Sequence, residues 1–187
     1  MSVPRPPAAT EPSIDRGPRV RWRLYLTFAA VLYLAIALWA LRPVLPQMRT
    51  ALPYPTALAA LPGGWLNIVL NDELLTASLL TENARRILTA PWRLAESWQC
   101  YPLANARALG EHMLGMGLRG VIPYALTRDP VATTNLVLIM LPCLAGMAMY
   151  ALVAYWTRMP GAALVAGLLF AFQPTRLTNL AHPYVEA

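Results

Sequence analysis

Few residues in this chain are equipped for chemistry, which makes each one conspicuous. Asp72 is one of only 9 acidic residues among 187 and directly follows an apolar stretch. A carboxylate there can take a proton from a hydroxyl or help to hold a divalent cation. The plainer reading is a charge at the start of a helix, favoured by the helix dipole. Glu111 and His112 sit among Leu109, Met113 and Leu114. Neighbours on a helix point about 100° apart, so these two need partners from elsewhere to act together. Their plainer reading is the polar edge of an amphipathic helix. Arg176 follows an apolar run, where a guanidinium can grip phosphate through two parallel hydrogen bonds or simply snorkel to headgroups. His182 is a lone histidine in a polar tail, a setting that is more often structural or solvated. Trp92, Trp98 and Tyr101 can stack on a sugar face, although anchoring at a membrane interface is the commoner use.

Several chemistries are excluded. The two histidines stand 70 positions apart and no HExxH or CxxC is present, so a zinc site has no basis. No glycine-rich phosphate loop appears. Cys100 falls in an expected loop and Cys143 inside an apolar run, which argues against a disulfide framework. Internal repeats are absent.

The surroundings of these residues are those of a membrane protein. The chain is 57% hydrophobic and 13% charged, about half the charge of a typical soluble domain, and its mean hydropathy is +0.45. All 15 basic residues are arginine, a usage that fits coding bias, and the net charge is +6. No basic stripe with interleaved aromatics occurs, so nucleic acid is not the partner. The 18 prolines and 6 tryptophans suit irregular loops and interfacial anchors around a lipid bilayer.

Residues 1–21 read as a disordered basic tail, rich in Pro, Ala and Arg. An uncharged run over 24–41, bracketed by Trp22 and Trp39, predicts a first membrane helix rather than a cleaved signal. Residues 50–71 are also uncharged, but Pro53, Pro55, Pro62, Gly63 and Gly64 interrupt them. This predicts an irregular loop at the membrane surface or one that re-enters it. Asn71, Asp72 and Glu73 predict a capped helix start. From there Leu74, Leu75, Leu80, Ala84, Ile87 and Leu88 predict an amphipathic helix along the interface, stopped by Pro91. A second short helix over 109–118 is expected to carry Glu111 and His112. Further membrane helices are expected over 131–156 and 160–173.

The expected architecture is therefore all-α and integral to the membrane. It has about three transmembrane helices and a large outer loop, 42–129, carrying interfacial amphipathic helices. Residues 22–187 form one membrane domain. The arginine cluster at Arg16, Arg19, Arg21 and Arg23 keeps the N-terminus cytoplasmic. By parity Asp72, Glu111, His112, Arg176 and His182 then share the outer face of a multi-pass inner-membrane protein.

In order and spacing these residues resemble the N-terminal part of bacterial multi-pass membrane glycosyltransferases of the GT-C superfamily, among the YfhO-like or glycosyltransferase-like membrane proteins. The resemblance runs through Asp72-Glu73-Leu74-Leu75, Tyr101-Pro102, Glu111-His112-Met113-Leu114 and Asn135. It continues through the Gly-x-x-Met-Tyr-like element at 146–150, the segment 166–176 ending in Arg176, and Leu180 to His182. Gly110 and Pro183 depart from the pattern, since serine and a helical continuation are more usual there. The resemblance implies transfer of a sugar from a polyprenyl-phosphate-linked donor to an acceptor hydroxyl at the outer face. It implies Asp72 as the base and Arg176 on the lipid phosphate, with Glu111, His112 and His182 at the substrate. It leaves room for a divalent metal beside Glu111 and His112. Such enzymes are longer, with more membrane helices, so the expectation is a fragment or truncated frame without independent catalysis. The competing class is a non-catalytic membrane component of glycan assembly or export. A transporter would place ionisable groups in the centres of its helices, and the three expected helices carry none there.

Overall fold

The computed structural model describes residues 22–53, 63–97 and 102–178. Trp98, Cys100, Tyr101 and His182 lie outside them, as does the tail expected over 1–21. Every regular element among the described residues is helical. These elements are α1 (Trp22–Ala40), α2 (Gly63–Thr89), α3 (Leu114–Thr127), α4 (Pro130–Thr157), α5 (Pro160–Ala171) and α6 (Pro174–Thr178), with short 3₁₀ turns at Leu45–Gln47, Pro91–Arg93 and Ala106–Leu109.

Two of the described helices, α1 and α4, are long and apolar enough to cross a membrane. With 19 and 28 residues, they measure about 28 Å and 42 Å at the helical rise. Asp129 caps α4 by accepting a hydrogen bond from the Ala132 amide at 2.7 Å, and Pro130 occupies the first turn, where its missing N–H costs nothing. Arg158 closes α4 in the left-handed region at φ 55° and turns the chain straight into α5. The expected third membrane helix is shorter than its apolar run suggested. α5 has 12 residues, about 18 Å against a hydrocarbon core of about 30 Å, because Pro174 follows too closely for the helix to continue.

Tyr33 ties the three apolar helices together. It is fully buried, its hydroxyl donates to the Leu164 carbonyl at 2.9 Å, and its ring lies 6.2 Å from that of Phe172. Gly146 and Gly167 press against it. A Cβ on Gly146 would come within 2.9 Å of the ring, and one on Gly167 would collide with the hydroxyl. Small residues here permit the close backbone approach on which helix association in lipid depends.

The helix directions follow from two contacts. Tyr33 in the middle of α1 meets Gly146 in α4. Asn135, near the start of α4, donates to the carbonyls of Met48 at 3.0 Å and Ala51 at 2.8 Å, just past the end of α1. α1 and α4 are therefore antiparallel, and the end of α1 and the start of α4 share one end of the bundle. α2 and α3 pack on each other and against that end. Leu80 of α2 and Met116 of α3 join Ala37, Leu41, Val137, Leu138, Ile139 and Leu141 in one apolar cluster.

Two expected boundaries are corrected. The helix expected to start at Asn71 begins at Gly63 and runs 27 residues, so Asn71 does not cap it and 63–71 is helical rather than irregular. Pro62 is the last proline before Pro91, so nothing between them removes a backbone donor, and two glycines cost only about 1 kcal/mol each. The helix expected over 109–118 starts later, at Leu114. Gly110 is extended and Met113 is left-handed at φ 46°, so Glu111 and His112 precede α3 instead of riding on it.

Candidate functional site

The polar residues buried beneath the loop are organised by α2. Its earlier start places Glu73 well inside the helix. Glu73, Thr76, Leu80 and Asn83 then fall at i, i+3, i+7 and i+10, a single stripe, and all four are buried.

Asn83 lies at the centre of this layer and is completely buried. Its Nδ2 donates to the His112 carbonyl at 2.6 Å, and its Oδ1 accepts from Arg107 Nη1 at 2.6 Å. One amide thus fastens the turn before α3 and the 3₁₀ turn at Ala106–Leu109 onto α2. The junction needs α3 very close. A Cβ on Gly117 would collide with that of Asn83, and a Cβ on Gly120 would come within 2.9 Å of Leu80.

Arg107 is only 4% exposed, and its Nε has no hydrogen-bond partner. Burial draws its guanidinium below the usual arginine range; nearby Glu82 opposes this and nearby Arg86 reinforces it. Beside it runs a ladder of ion pairs. Glu82 pairs with Arg85 at 2.9 Å and Arg86 at 2.6 Å, while Glu96 pairs with Arg86 at 3.4 Å and Arg93 at 2.7 Å. Burial acts to raise the Glu82 carboxyl, but the hydrogen bonds and charges of Arg85 and Arg86 outweigh it and hold the group below its ordinary value.

Glu73 has no such company. It is 6% exposed and its Oε1 makes no hydrogen bond. Desolvation alone raises its carboxyl to about 7, because loss of water disfavours the charged form and no cation restores it. A carboxyl that titrates near neutrality is suited to general acid–base work.

The expected site residues are dispersed. Asp72 is half-buried beside Glu73 and points about 100° away from it around α2. It lies 11 residues, about 16 Å, from Asn83 along the helix axis. His112 meets Asn83 only through its backbone, while its Nδ1 is buried without a partner. Glu111 is exposed. Arg176 lies past α5 as expected, but its guanidinium folds back over the Phe170 ring at 4.5 Å. The end of α5 packs at Gly146, and Phe172 just past it packs on the apolar cluster that holds Leu80 and Met116. His182 is outside the described residues. Trp92 is 81% exposed, on the Pro91–Arg93 turn.

No group of three His, Cys, Asp or Glu side chains among the described residues is placed to hold a metal ion. Glu82 and Glu96 are already paired with arginine, and Glu73, Glu111 and Asp129 lie on different elements, so no step is derived through a divalent cation.

Glu73, Asn83 and Arg107 were not expected as site residues. The stripe Glu73–Thr76–Leu80–Asn83 carried the signal, but an assumed start at Asn71 made Glu73 a terminal charge. Arg107 had no comparable signal, because a turn has no periodicity. No family model, no curated protein and no solved structure matches the chain.

Proposed function

We propose that this protein is a membrane glycosyltransferase of GT-C type. It transfers a sugar from a polyprenyl-phosphate-linked donor to an acceptor hydroxyl at the outer face of the membrane. α1, α4 and α5 form its membrane part, and the loop between α1 and α4 carries the site. The observation that carries this reading is the adjacent pair Asp72 and Glu73 on α2, a helix packed against the end of the bundle where α1 finishes and α4 begins. One carboxyl is half-buried, and the other is buried and titrates near neutrality.

In this reading a carboxylate on α2 takes the proton from the acceptor oxygen as that oxygen attacks the anomeric carbon. The bond to the lipid phosphate breaks, and the phosphate leaves with the electron pair. Asp72 is only half-buried, so an acceptor hydroxyl can reach it. Glu73 behind it is suited to hold a proton at neutral pH.

The test is sugar transfer from a polyprenyl-phosphate donor by the protein in lipid nanodiscs, comparing Asp72→Asn with Glu73→Gln. Loss of a general base lowers turnover about 10²- to 10⁴-fold, and Asp72→Asn is expected to do so. Glu73→Gln is expected to flatten the pH profile near 7 with a smaller loss of rate. If wild-type protein transfers nothing while it still binds the donor, the competing role applies, that of a non-catalytic component of glycan assembly or export.

A further inference from the structure

α3 has two apolar faces, and only one of them is used. Met116, Gly117, Gly120 and Pro123 are buried. On the other side Leu114, Leu118, Ile122 and Leu126 recur at every fourth residue with exposures of 39%, 58%, 68% and 78%. Four large aliphatic side chains at spacing 4 form one stripe along the whole helix. A monomeric soluble surface rarely leaves such a row uncovered.

Helix levels show what lies beside it. Tyr33 is 11 residues past Trp22, and its partner Gly146 is 10 residues before Trp156. Trp22 and Trp156 are therefore level. Trp22, Tyr25, Tyr155 and Trp156 are all exposed, at 37%, 42%, 80% and 71%, as expected of an aromatic belt at one membrane interface. A hydrocarbon core of about 30 Å puts the opposite interface about 20 residues along α4, near Leu136. Trp39, with Arg42 at 5.2 Å over its ring, lies close to that level on α1. α3 straddles it. The Thr127 hydroxyl is 3.0 Å from that of Thr133, while Met116 clusters with Val137 and Leu141.

The rim of the stripe is cationic. Arg119 lies on α3 with Nη1 bonded to the Gly115 carbonyl at 3.3 Å, Arg128 covers the Tyr124 ring at 5.9 Å, and Arg85 lies near Tyr124. α3 itself carries no acidic residue.

We propose that the outward stripe of α3 from Leu114 to Ile122 is embedded in the acyl region of the bilayer, with Leu126 and Arg128 at the level of anionic headgroups and Arg119 snorkelling towards them. α3 is then a half-submerged helix continuous with the spanning helix α4. It holds the Asn83–Arg107–His112 junction at the membrane surface, where the phosphate end of a lipid would arrive sideways from the leaflet. The proposal rests on α1 and α4 spanning the bilayer, not on the transferase activity.

The experiment uses full-length protein with Cys100 and Cys143 changed to serine, in vesicles of phosphatidylcholine and phosphatidylglycerol. A nitroxide is attached at Leu118→Cys, Ile122→Cys, Val31→Cys on the exposed face of α1, or Arg93→Cys. Collision rates with oxygen and with a water-soluble nickel chelate are compared. Positions 118 and 122 are expected to follow position 31, with oxygen contact high and nickel contact several-fold below that at 93. Nickel contact equal to that at 93 overturns the proposal, because the face is then in water. Exclusion of both reagents also overturns it, because protein (a second copy or another partner) then covers the stripe. If position 31 itself shows high nickel contact, the spanning reading fails and the proposal falls with it.

Discussion

Asn83 Oδ1 accepts from Arg107 Nη1 at 2.6 Å while Asn83 Nδ2 donates to the His112 carbonyl at the same distance. This single buried amide ties α2 to two turns more than 20 residues further along the chain. Its removal leaves Nη1 of a buried guanidinium without the acceptor it has here, beside an Nε that already has none. Asn83→Ala is expected to destabilise the fold by about 3 kcal/mol or more, since unmet buried hydrogen bonds to charged groups are the costly ones. Unfolding in mixed detergent micelles measures this. A loss below about 0.5 kcal/mol would show that the amide does not hold the loop.

Glu73 makes stability depend on pH. Its folded carboxyl titrates near 7, above the ordinary value of 4.5. The folded state thus retains a proton that the unfolded state loses first. The favourable contribution is complete below about 4.5 and fades as pH rises, levelling off above 7. The slope is about 1.4 kcal/mol per pH unit inside that window. Stability measured from pH 4 to pH 8 should decline through the window, and Glu73→Gln should remove that decline.

Gly117 and Gly161 should respond oppositely to the same substitution. Gly117→Ala drives a methyl into Asn83 and forces α2 and α3 apart, at a cost of about 1–3 kcal/mol. A Cβ on Gly161 meets nothing within 4 Å, and the residue sits in the first turn of α5, so Gly161→Ala should be neutral or stabilise by up to about 1 kcal/mol. Thermal unfolding of the two variants side by side checks the sign of each.

Tyr33 separates packing from hydrogen bonding. Tyr33→Phe loses only the bond to the Leu164 carbonyl, worth about 0.6–1 kcal/mol in a membrane bundle. Tyr33→Ala empties the space between Gly146 and Gly167 and should cost about 3–5 kcal/mol. Similar losses for both variants would mean that the hydroxyl, not the ring, joins α1 to α5.

The apolar helices were legible because their signal is local. An uncharged run between Asp129 and Arg158, with a capping acid and Pro130 behind it, leaves α4 little alternative. Trp22 to Ala40 reads equally directly, having no proline or glycine within it. The start of α2 was misread because Asn71, Asp72 and Glu73 are good first-turn residues in isolation. A cap residue acts only where a helix is free to begin, and with no proline after Pro62 the helix had already begun. That shift of eight residues moved Glu73 from an exposed terminus to a buried stripe. Glu111 and His112 were given the wrong element for a related reason. The left-handed backbone at Met113 delays α3, and nothing in the residue types around 109–118 announces it.

Composition and spacing by themselves determined that this protein is helical, apolar and built around long uncharged segments, because hydrophobic run length and helix-breaking prolines act within one stretch of chain. They also singled out Asp72 as a rare acid. Only the tertiary structure decided that Asn83 and Arg107 meet, that Glu73 loses its water, and that the Arg176 guanidinium lies over the Phe170 ring. Each of those depends on which helix lies against which. Burial and desolvation belong to such pairings between distant segments, and no single segment contains them.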